Sequence, residues 1–398
     1  MTQQIAVALV GQNANDILEW WSAELNAHLE TLGLATALID LRKDDWLKTF
    51  ADATEGRQLL FAWSFQGIGG ALKADDGTNL WDRMGVTFLS YMGDNPCYLP
   101  RNHRIAARNV LNAYSCPDFL EVQRRFVKSD QFSFLLPHAF PANPHVEEVA
   151  WKDRQIDFLF VKNGNDPDAL SRGWGVLPRR VRDAVWASVE IALADPGRQV
   201  ADVVAGVLEE MSWVLGDRTE LFWYILAQVD DYVRRRHATR LANIVKKLPA
   251  HIFGGNWEHL DMTGAKAIFH GTVAAWDLPK LYANTRTMFN ANPNIVEGVH
   301  ERVYAAFSSD CCLVSDDTAF ARRHFAGLPS YVGFDWNEDD LEDRILTRVT
   351  DGIDYGDAVR DARERVAPLH SIDAFFAAIF EMIEVNTLIP KLAPLRQV

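Results

Sequence analysis

Polar side chains of the kind that bind an anionic ligand gather between Tyr282 and Asp317. An extended run ends at Asn290, an Asn-Pro-Asn sequence starts at Asn292, and apolar residues recur at helical spacing from Gly298. The polar residues of this loop and of the helix entrance are Asn290, Asn294, Glu297, His300, Glu301 and Arg302. The first turn of a helix carries unpaired N–H groups and a partial positive charge, and an arginine there can bind phosphate oxygens in pairs. The turn is therefore a candidate anion site.

Two predicted strands, Thr285–Asn290 and Cys311–Asp316, lie on either side of this turn. In an open α/β sheet, ligands bind beyond the carboxyl ends of the strands. The turn follows the first strand directly, so we expect it to lie at the ligand-binding edge of a sheet.

Apolar runs alternate with helical patterns through the whole chain, which indicates parallel sheets covered on both faces. The predicted strands of the first half are Ile5–Val10, Leu34–Asp40, Leu59–Ser64, Val86–Met92 and Phe132–Ala139. Those of the second half are Ile156–Val161, Ala250–Gly255, Lys266–Gly271, Thr285–Asn290, Cys311–Asp316 and Ser330–Phe334.

A chain of 398 residues exceeds what one hydrophobic core normally serves. The segment Pro137–Asp153 carries three prolines and little periodicity, which is typical of a linker. We therefore predict an amino-terminal Rossmann-like domain at 1–148 and a carboxyl-terminal one at 149–398. The second domain is predicted to hold a helical insertion at about 175–248 and a terminal helix at about 372–388.

The net charge of −14 argues against a nucleic-acid partner, because such partners are held by clustered Lys and Arg. The four cysteines form no Cys-x-x-Cys pair, which favours a reducing compartment. The sequence shows no secretory signal, and no apolar run approaches the roughly 20 residues of a membrane span. We expect a cytoplasmic protein without a transmembrane segment; the sequence leaves its oligomeric state open.

Four motifs together resemble the GT-B glycosyltransferases related to spore-maturation enzymes, whose second domain is of the glycosyl transferases group 1 type. They are Asp94-Asn95-Pro96, the segment Arg154–Asn165 (RQIDFLFVKNGN), the segment His251–Trp257 (HIFGGNW) and the segment Asn292–Phe307 (NPNIVEGVHERVYAAF). Their order and spacing cover most of the chain.

The resemblance implies a GT-B fold, in which two Rossmann-like domains have parallel sheets facing a cleft. It also implies a nucleotide-sugar donor in the second domain, a protein or glycan acceptor at the first, and transfer without a metal or a separate cofactor. The implied catalytic residues are Asp94, His300, Glu301 and Arg302. The implied nucleotide-sugar contacts are Lys162, Asn163, Gly164, Gly255, Asn256, Gly271, Asn290, Asn294, Glu297 and Gly298. By association alone, it suggests bacterial glycosylation of a surface polysaccharide or a protein.

Two positions depart from related families. Retaining GT-B enzymes carry Glu-x7-Glu here; Glu297 takes the first place and Ala305 the second, and Asp310 stands where relatives often have glycine. The stereochemical outcome and the identity of the ribose-binding residue therefore stay open. A degenerate GT-B scaffold and a sugar-nucleotide epimerase of GT-B shape are the alternative functions.

The candidate residues also have structural interpretations. Glu301 and Arg302 can form a solvated helix pair, His300 can be a surface histidine, and Asp94 can be a turn former. Four Asp-Asp pairs suggest metal-binding carboxylates, but we interpret them as solvated loops. They begin at Asp75, Asp230, Asp316 and Asp339.

Overall fold

Each half of the chain forms a six-stranded sheet in which every strand pairs in parallel. The structure is a computed structural model that describes residues 3–12, 16–127, 131–140, 146–213 and 219–392. It divides into two units, one formed by Met1–Pro141 with His370–Val398 and the other by Ala142–Leu369. Part of the predicted linker, residues 141–145, lies outside the described residues.

The first sheet has the strand order β2-β1-β3-β4-β5-β6. Its strands are β1 (Gln4–Val10), β2 (Ala35–Asp40), β3 (Gln58–Phe65), β4 (Thr87–Met92), β5 (Val110–Tyr114) and β6 (Ser133–Leu135). Its first four helices are α1 (Ile17–Thr31), α2 (Trp46–Thr54), α3 (Leu80–Met84) and α4 (Pro117–Val122). Strand β5 is the one that the sequence analysis missed. Its five residues are all buried, but Asn112 interrupts the apolar run, and the Asn112 side-chain amide donates to Oε1 of Gln131 at 3.1 Å.

The second sheet has the order β12-β11-β10-β7-β8-β9. Its strands are β7 (Ile156–Val161), β8 (Ala250–Phe253), β9 (Ile268–Phe269), β10 (Thr285–Asn290), β11 (Cys312–Asp316) and β12 (Tyr331–Phe334). Its helices are α5 (Pro167–Gly173), α6 (Arg179–Ala194), α7 (Val200–Glu210), α8 (Thr219–Val245), α9 (Leu278–Ala283), α10 (Glu301–Ser308), α11 (Ala319–His324), α12 (Leu341–Val349) and α13 (Gly356–Val366). Helices α6 to α8 form the predicted insertion, and the end of α8 packs on the sheet through Leu241 and Val245, in one core with Phe160 and Ile252.

The terminal helix α14 (Ile372–Leu392) belongs to the first unit, not to the second as predicted. Phe375, Phe376 and Phe380 contact rings of the first unit, and Phe375 lies 5.4 Å from Tyr91. The sequence pattern shows that this helix has an apolar face but not which sheet the face covers. Among the described residues, one helical stretch, Gly356–Leu388, is long and apolar enough to span a membrane by length and composition alone, contrary to our expectation. The buried helix of a soluble core meets the same criteria.

Two fully enclosed histidines make stability depend on pH. The pKa of both His103, in the first unit, and His237, in the second, is lowered from 6.5 to about 3, mainly by burial and in smaller part by nearby arginines (Arg104; Arg240 and Arg236). Between these values the unfolded chain binds a proton that the folded chain does not bind, so stability falls as the pH falls through this window. We expect urea unfolding at pH 5.5 to show a loss of about 1 kcal/mol per histidine relative to pH 7.5. In His237→Gln that loss should shrink, and an equal loss in the variant would contradict the assignment.

Candidate functional site

The candidate residues of the second unit follow four neighbouring strands at the same edge of the sheet. Lys162, Asn163 and Gly164 follow β7, Gly255 and Asn256 follow β8, Gly271 follows β9, and Asn290 ends β10. Because all four strands are parallel, their carboxyl ends meet at this edge. The structure thus brings together groups that are more than 100 residues apart in sequence.

Hydrogen bonds connect the first two of these loops. The Gly164 N–H donates to the Gly255 carbonyl at 2.9 Å, and the Gly255 N–H donates to Oδ1 of Asn163 at 3.1 Å. The Asn256 amide donates to Asn165 at 3.0 Å, with Asn256 in the left-handed region at φ 65°. These groups therefore form the rim of the site, and some of their hydrogen-bonding groups are already paired with one another.

The glycines at this rim serve two different purposes. A Cβ on Gly164 would lie 2.1 Å from the Trp257 ring, and one on Gly254 would lie 2.1 Å from the Lys162 carbonyl. Both are therefore explained by close packing within the protein. Gly271 has φ +48° and open space around its missing side chain, so the backbone there is accessible to a ligand.

Helix α10 begins at Glu301, three residues later than the predicted start at Gly298, because His300 caps it. Nδ1 of His300 accepts from the Arg302 N–H at 3.3 Å and lies 2.7 Å from Oε2 of Glu301. These contacts compete, since a neutral ring nitrogen either donates or accepts: as an acceptor Nδ1 caps the helix, and as a donor it binds the Glu301 carboxylate. The apolar face of the helix, with Val303 and Phe307, is buried as the spacing predicted.

The pKa of His300 falls to about 3, mainly because the ring is desolvated. The charges of Arg302 and Lys162 contribute to this lowering, and the Glu301 carboxylate opposes it. His300 is therefore neutral at pH 7. An imidazole in this state positions and hydrogen-bonds a ligand better than it accepts a proton.

Arg302 is held by two neutral partners. Its Nε donates to Oδ1 of Asn290 at 3.2 Å and its Nη2 to the Ala291 carbonyl at 3.5 Å. Among the described residues, no carboxylate lies within ion-pair distance of this half-buried guanidinium. Desolvation lowers the pKa of Arg302, although arginine keeps its charge. A buried cation with neutral partners suits an anionic ligand.

Asn292 organises the loop between β10 and α10. Its side-chain oxygen accepts from the His300 N–H at 2.8 Å, and its amide donates to Oδ1 of Asp316 at 3.0 Å. Burial raises the pKa of Asp316, which the hydrogen bonds from Asn292 and Trp336 oppose. Asn292 was not among the predicted binding residues, although it begins the Asn-Pro-Asn sequence that ends the strand.

Two of the four Asp-Asp pairs are not solvated loops as we interpreted them. Asp316 ends β11 and is half-buried at the site, and Asp230 lies within α8 with no exposed surface. Asp230 accepts from the Asn294 amide, so the insertion meets the candidate site. The sequence held one indication that Asp230 lies in a helix and not in a loop: Asp230 and Arg234 are four residues apart, the spacing of a pair on one helix face.

Glu297 and Gly298 contact the segment after β11. The Glu297 carboxylate pairs with Arg323 of α11, and the Gly298 carbonyl accepts from the Thr318 hydroxyl at 2.9 Å. The Glu297 pair is largely exposed, so it is worth little as a stabilising contact.

The remaining catalytic candidate, Asp94, lies in the first unit just after β4. It is exposed and accepts from Nε2 of Gln66 at 2.7 Å; Gln66 itself has φ 56°. A Cβ on Gly93 would be 3.7 Å from both Gln66 and His138, so these side chains share one corner. His138 is buried, bonds Tyr91 at 2.9 Å, and was not singled out from the sequence.

A cavity of about 240 Å³ opens at the opposite edge of the second sheet. It lies near the amino ends of β7 and β10. The charged side chains in its lining form ion pairs with one another, Arg286 with Asp157 and Arg348 with Asp351. It is therefore separate from the candidate site. Within the described ranges, no group of three His, Cys, Asp or Glu residues could hold a metal ion.

Residues 234–381 match the model of a family described as glycosyl transferase-like. No curated protein matches the chain.

Several solved structures are similar over nearly the whole chain. Sucrose-phosphate synthase from Thermosynechococcus elongatus has 9% identity and a TM-score of 0.54, covering 96% of this chain and 98% of that one. Anabaena Alr3699/HepE, in complex with UDP-glucose, has 11% identity and a TM-score of 0.51, covering 96% and 99%. The lipopolysaccharide outer core galactosyltransferase WaaB has 12% identity and a TM-score of 0.50, covering 96% and 100%.

The fold is the GT-B fold, as predicted, with two six-stranded parallel sheets. Together with the match to a glycosyltransferase family, it supports a transferase enzyme that moves a sugar. The narrower likeness to spore-maturation enzymes stays a prediction.

Proposed function

We propose that the protein transfers a sugar from a nucleotide-diphosphate donor to a protein or glycan acceptor without a metal. One observation carries the proposal: Arg302 is half-buried beside the carboxyl ends of the second sheet, and only neutral groups hold its guanidinium among the described residues. A diphosphate would supply the missing negative charge. The complex of Anabaena Alr3699/HepE with UDP-glucose supports a donor of this class.

In the proposed reaction, the bond between the anomeric carbon and the phosphate oxygen breaks, and its electron pair stays on the leaving diphosphate. Arg302, Lys162 and the partial positive charge at the amino end of α10 stabilise that growing charge. Asn290 and Ala291 fix the guanidinium beforehand, so little reorganisation is needed as the bond breaks.

The acceptor oxygen attacks the anomeric carbon and loses its proton to a base. We propose Asp94 for this role if the enzyme inverts, because its carboxylate is exposed and oriented by Gln66. Neutral His300 is proposed to bind the donor rather than to take this proton. We further propose a cytoplasmic location, which the four free thiols support.

Thermal shifts with a panel of nucleotide sugars test the donor site. A UDP-, GDP-, dTDP- or CMP-sugar at 100 times its dissociation constant should add about 2.7 kcal/mol to folded-state stability. Inorganic phosphate alone is the control and should add little. Release of nucleoside diphosphate only with an acceptor supports transfer, whereas sugar isomerisation without an acceptor would indicate an epimerase.

A scaffold without catalysis is the second candidate, favoured by one position. Ala305 is 1% exposed within α10, so this position presents no carboxylate to a ligand. Asp310, at φ 51°, is held by Arg363 at 2.7 Å and has a structural partner. If none of the nucleotide sugars gave a thermal shift, the scaffold function would be favoured over transfer.

A further inference from the structure

The cavity at the opposite edge of the second sheet has a floor that three neighbouring strands provide. Phe158 of β7, Thr287 of β10 and Cys312 of β11 are register partners, so their side chains lie in a row on one face of the sheet. Val314 and its register partner Val332 of β12 continue this floor. The same face carries the core that includes Phe158 and Val314, and the core stops at a space of about 240 Å³.

Two polar groups on this floor lack a hydrogen-bond partner. Thr287 is 9% exposed and Cys312 is 5% exposed. Within the part of the chain that the structure describes, no group hydrogen-bonds the Thr287 hydroxyl or the Cys312 thiol. Burial raises the pKa of that thiol, so it is neutral at pH 7. A buried polar group without a partner costs free energy, and a ligand that hydrogen-bonds it removes the cost.

The charged side chains of the lining fix its two aromatic walls. Nε of Arg286 donates to the Trp151 carbonyl at 3.1 Å, and the Tyr355 hydroxyl donates to Oδ2 of Asp351 at 2.7 Å. The rings of Trp151 and Tyr355 lie edge to face, with their centroids 6.4 Å apart. Because each charged side chain of the lining also belongs to an ion pair, the interior favours a neutral molecule over an ion.

The cavity has the size and the access that a small ligand needs. A cavity of about 150 Å³ in another protein binds benzene. A volume of about 240 Å³ therefore admits one ring or two fused rings. Ile353 lines the cavity and is 52% exposed, so the space reaches the surface of the protein.

We propose that this cavity binds a small neutral aromatic molecule with one hydroxyl or N–H group, its ring against Phe158 and Val314 and its polar group on the Thr287 hydroxyl. Cys312, on the neighbouring strand, is a second and weaker donor beside that contact. The cavity lies at the edge opposite the candidate donor site, so the inference is independent of the proposed function. It gives the second unit a second ligand, which carries no phosphate.

Isothermal titration calorimetry on the full chain tests the site with two pairs of probes. Phenol and indole carry the polar group, whereas toluene and indene have nearly the same shapes without it. Phenol and indole should bind saturably, with one molecule per chain. In Thr287→Val their affinity should fall on the order of tenfold, and the affinity for toluene and indene should change less than about twofold. Thr287→Ser keeps the hydroxyl and should recover most of the affinity.

Two more variants locate the binding. Val332→Phe places a ring in the cavity and should abolish the binding of all four probes. Thr49→Val, which alters an exposed threonine of α2 in the first unit, is the matched control and should bind phenol like the wild type. If Val332→Phe does not fold, the comparison of Thr287→Val with Thr287→Ser decides the matter.

Four results would overturn the inference. They are no saturable binding of any probe, wild-type affinity for phenol in Thr287→Val, equal weakening of phenol and toluene in that variant, and binding that persists in a folded Val332→Phe. None of them bears on the nucleotide-sugar site, whose failure is read separately from the thermal shifts.

Discussion

Arg302→Ala should lower the turnover of the nucleotide sugar on the order of a hundredfold, the usual effect of removing one oriented group that stabilises developing charge. The side chain is held in place by Asn290 and Ala291 before any ligand binds, so its contribution is realised in the transition state. The rate of nucleoside diphosphate release, measured with the donor that gives the largest thermal shift, reports this change.

Two further variants show whether charge alone explains the effect. Arg302→Lys should recover only part of the rate, because an ammonium cannot contact Asn290 and a phosphate with the same geometry. Arg323→Ala removes an exposed arginine that pairs with Glu297, and it should leave the rate nearly unchanged. If Arg302→Ala turned over at the wild-type rate, Arg302 would have no part in the mechanism.

Arg154→Ala should destabilise the second unit by about 3 kcal/mol or more, because it leaves buried carbonyls without a donor. Arg154 is 4% exposed, and its Nη1 donates to the carbonyls of Thr285 at 2.6 Å and of Asp310 at 2.7 Å. Its Nε donates to Val149 at 3.1 Å. The side chain thus joins the chain before β7 to the start of β10 and to the turn before β11.

Urea unfolding followed by tryptophan fluorescence measures this loss. The control is Arg360→Ala, which removes an exposed pair with Asp357 and should cost less than about 1 kcal/mol. A loss in Arg154→Ala no larger than in the control would show that the buried contacts contribute little. A loss of about 3 kcal/mol in Arg154→Ala would give Arg154 a structural role within the motif at residues 154–165.

The periodicity of the sequence was enough to place most strands. Ile156–Val161 and Thr285–Asn290 match β7 and β10 without any shift. Each has an apolar centre that the fold buries, Leu159 with Phe160 in the first and Met288 with Phe289 in the second. Strand β5 was not predicted because Asn112 is polar and resembles a loop residue in the sequence. In the fold it is buried, and its amide donates to Gln131. The start of α10 was placed too early because the apolar spacing does not reveal that His300 is the cap.

The chemical character of neighbouring residues could be predicted from the sequence, but the contacts between distant residues could not. The sequence by itself determined two parallel α/β sheets and a polar turn with Arg302 beyond the end of a strand, since these depend on apolar spacing and on residues adjacent in the chain. Only the tertiary structure decided that α14 covers the first sheet, that Asp230 is buried against Asn294, and that the guanidinium of Arg302 is held by neutral groups. Those features depend on contacts between residues far apart in sequence, which a linear pattern does not record.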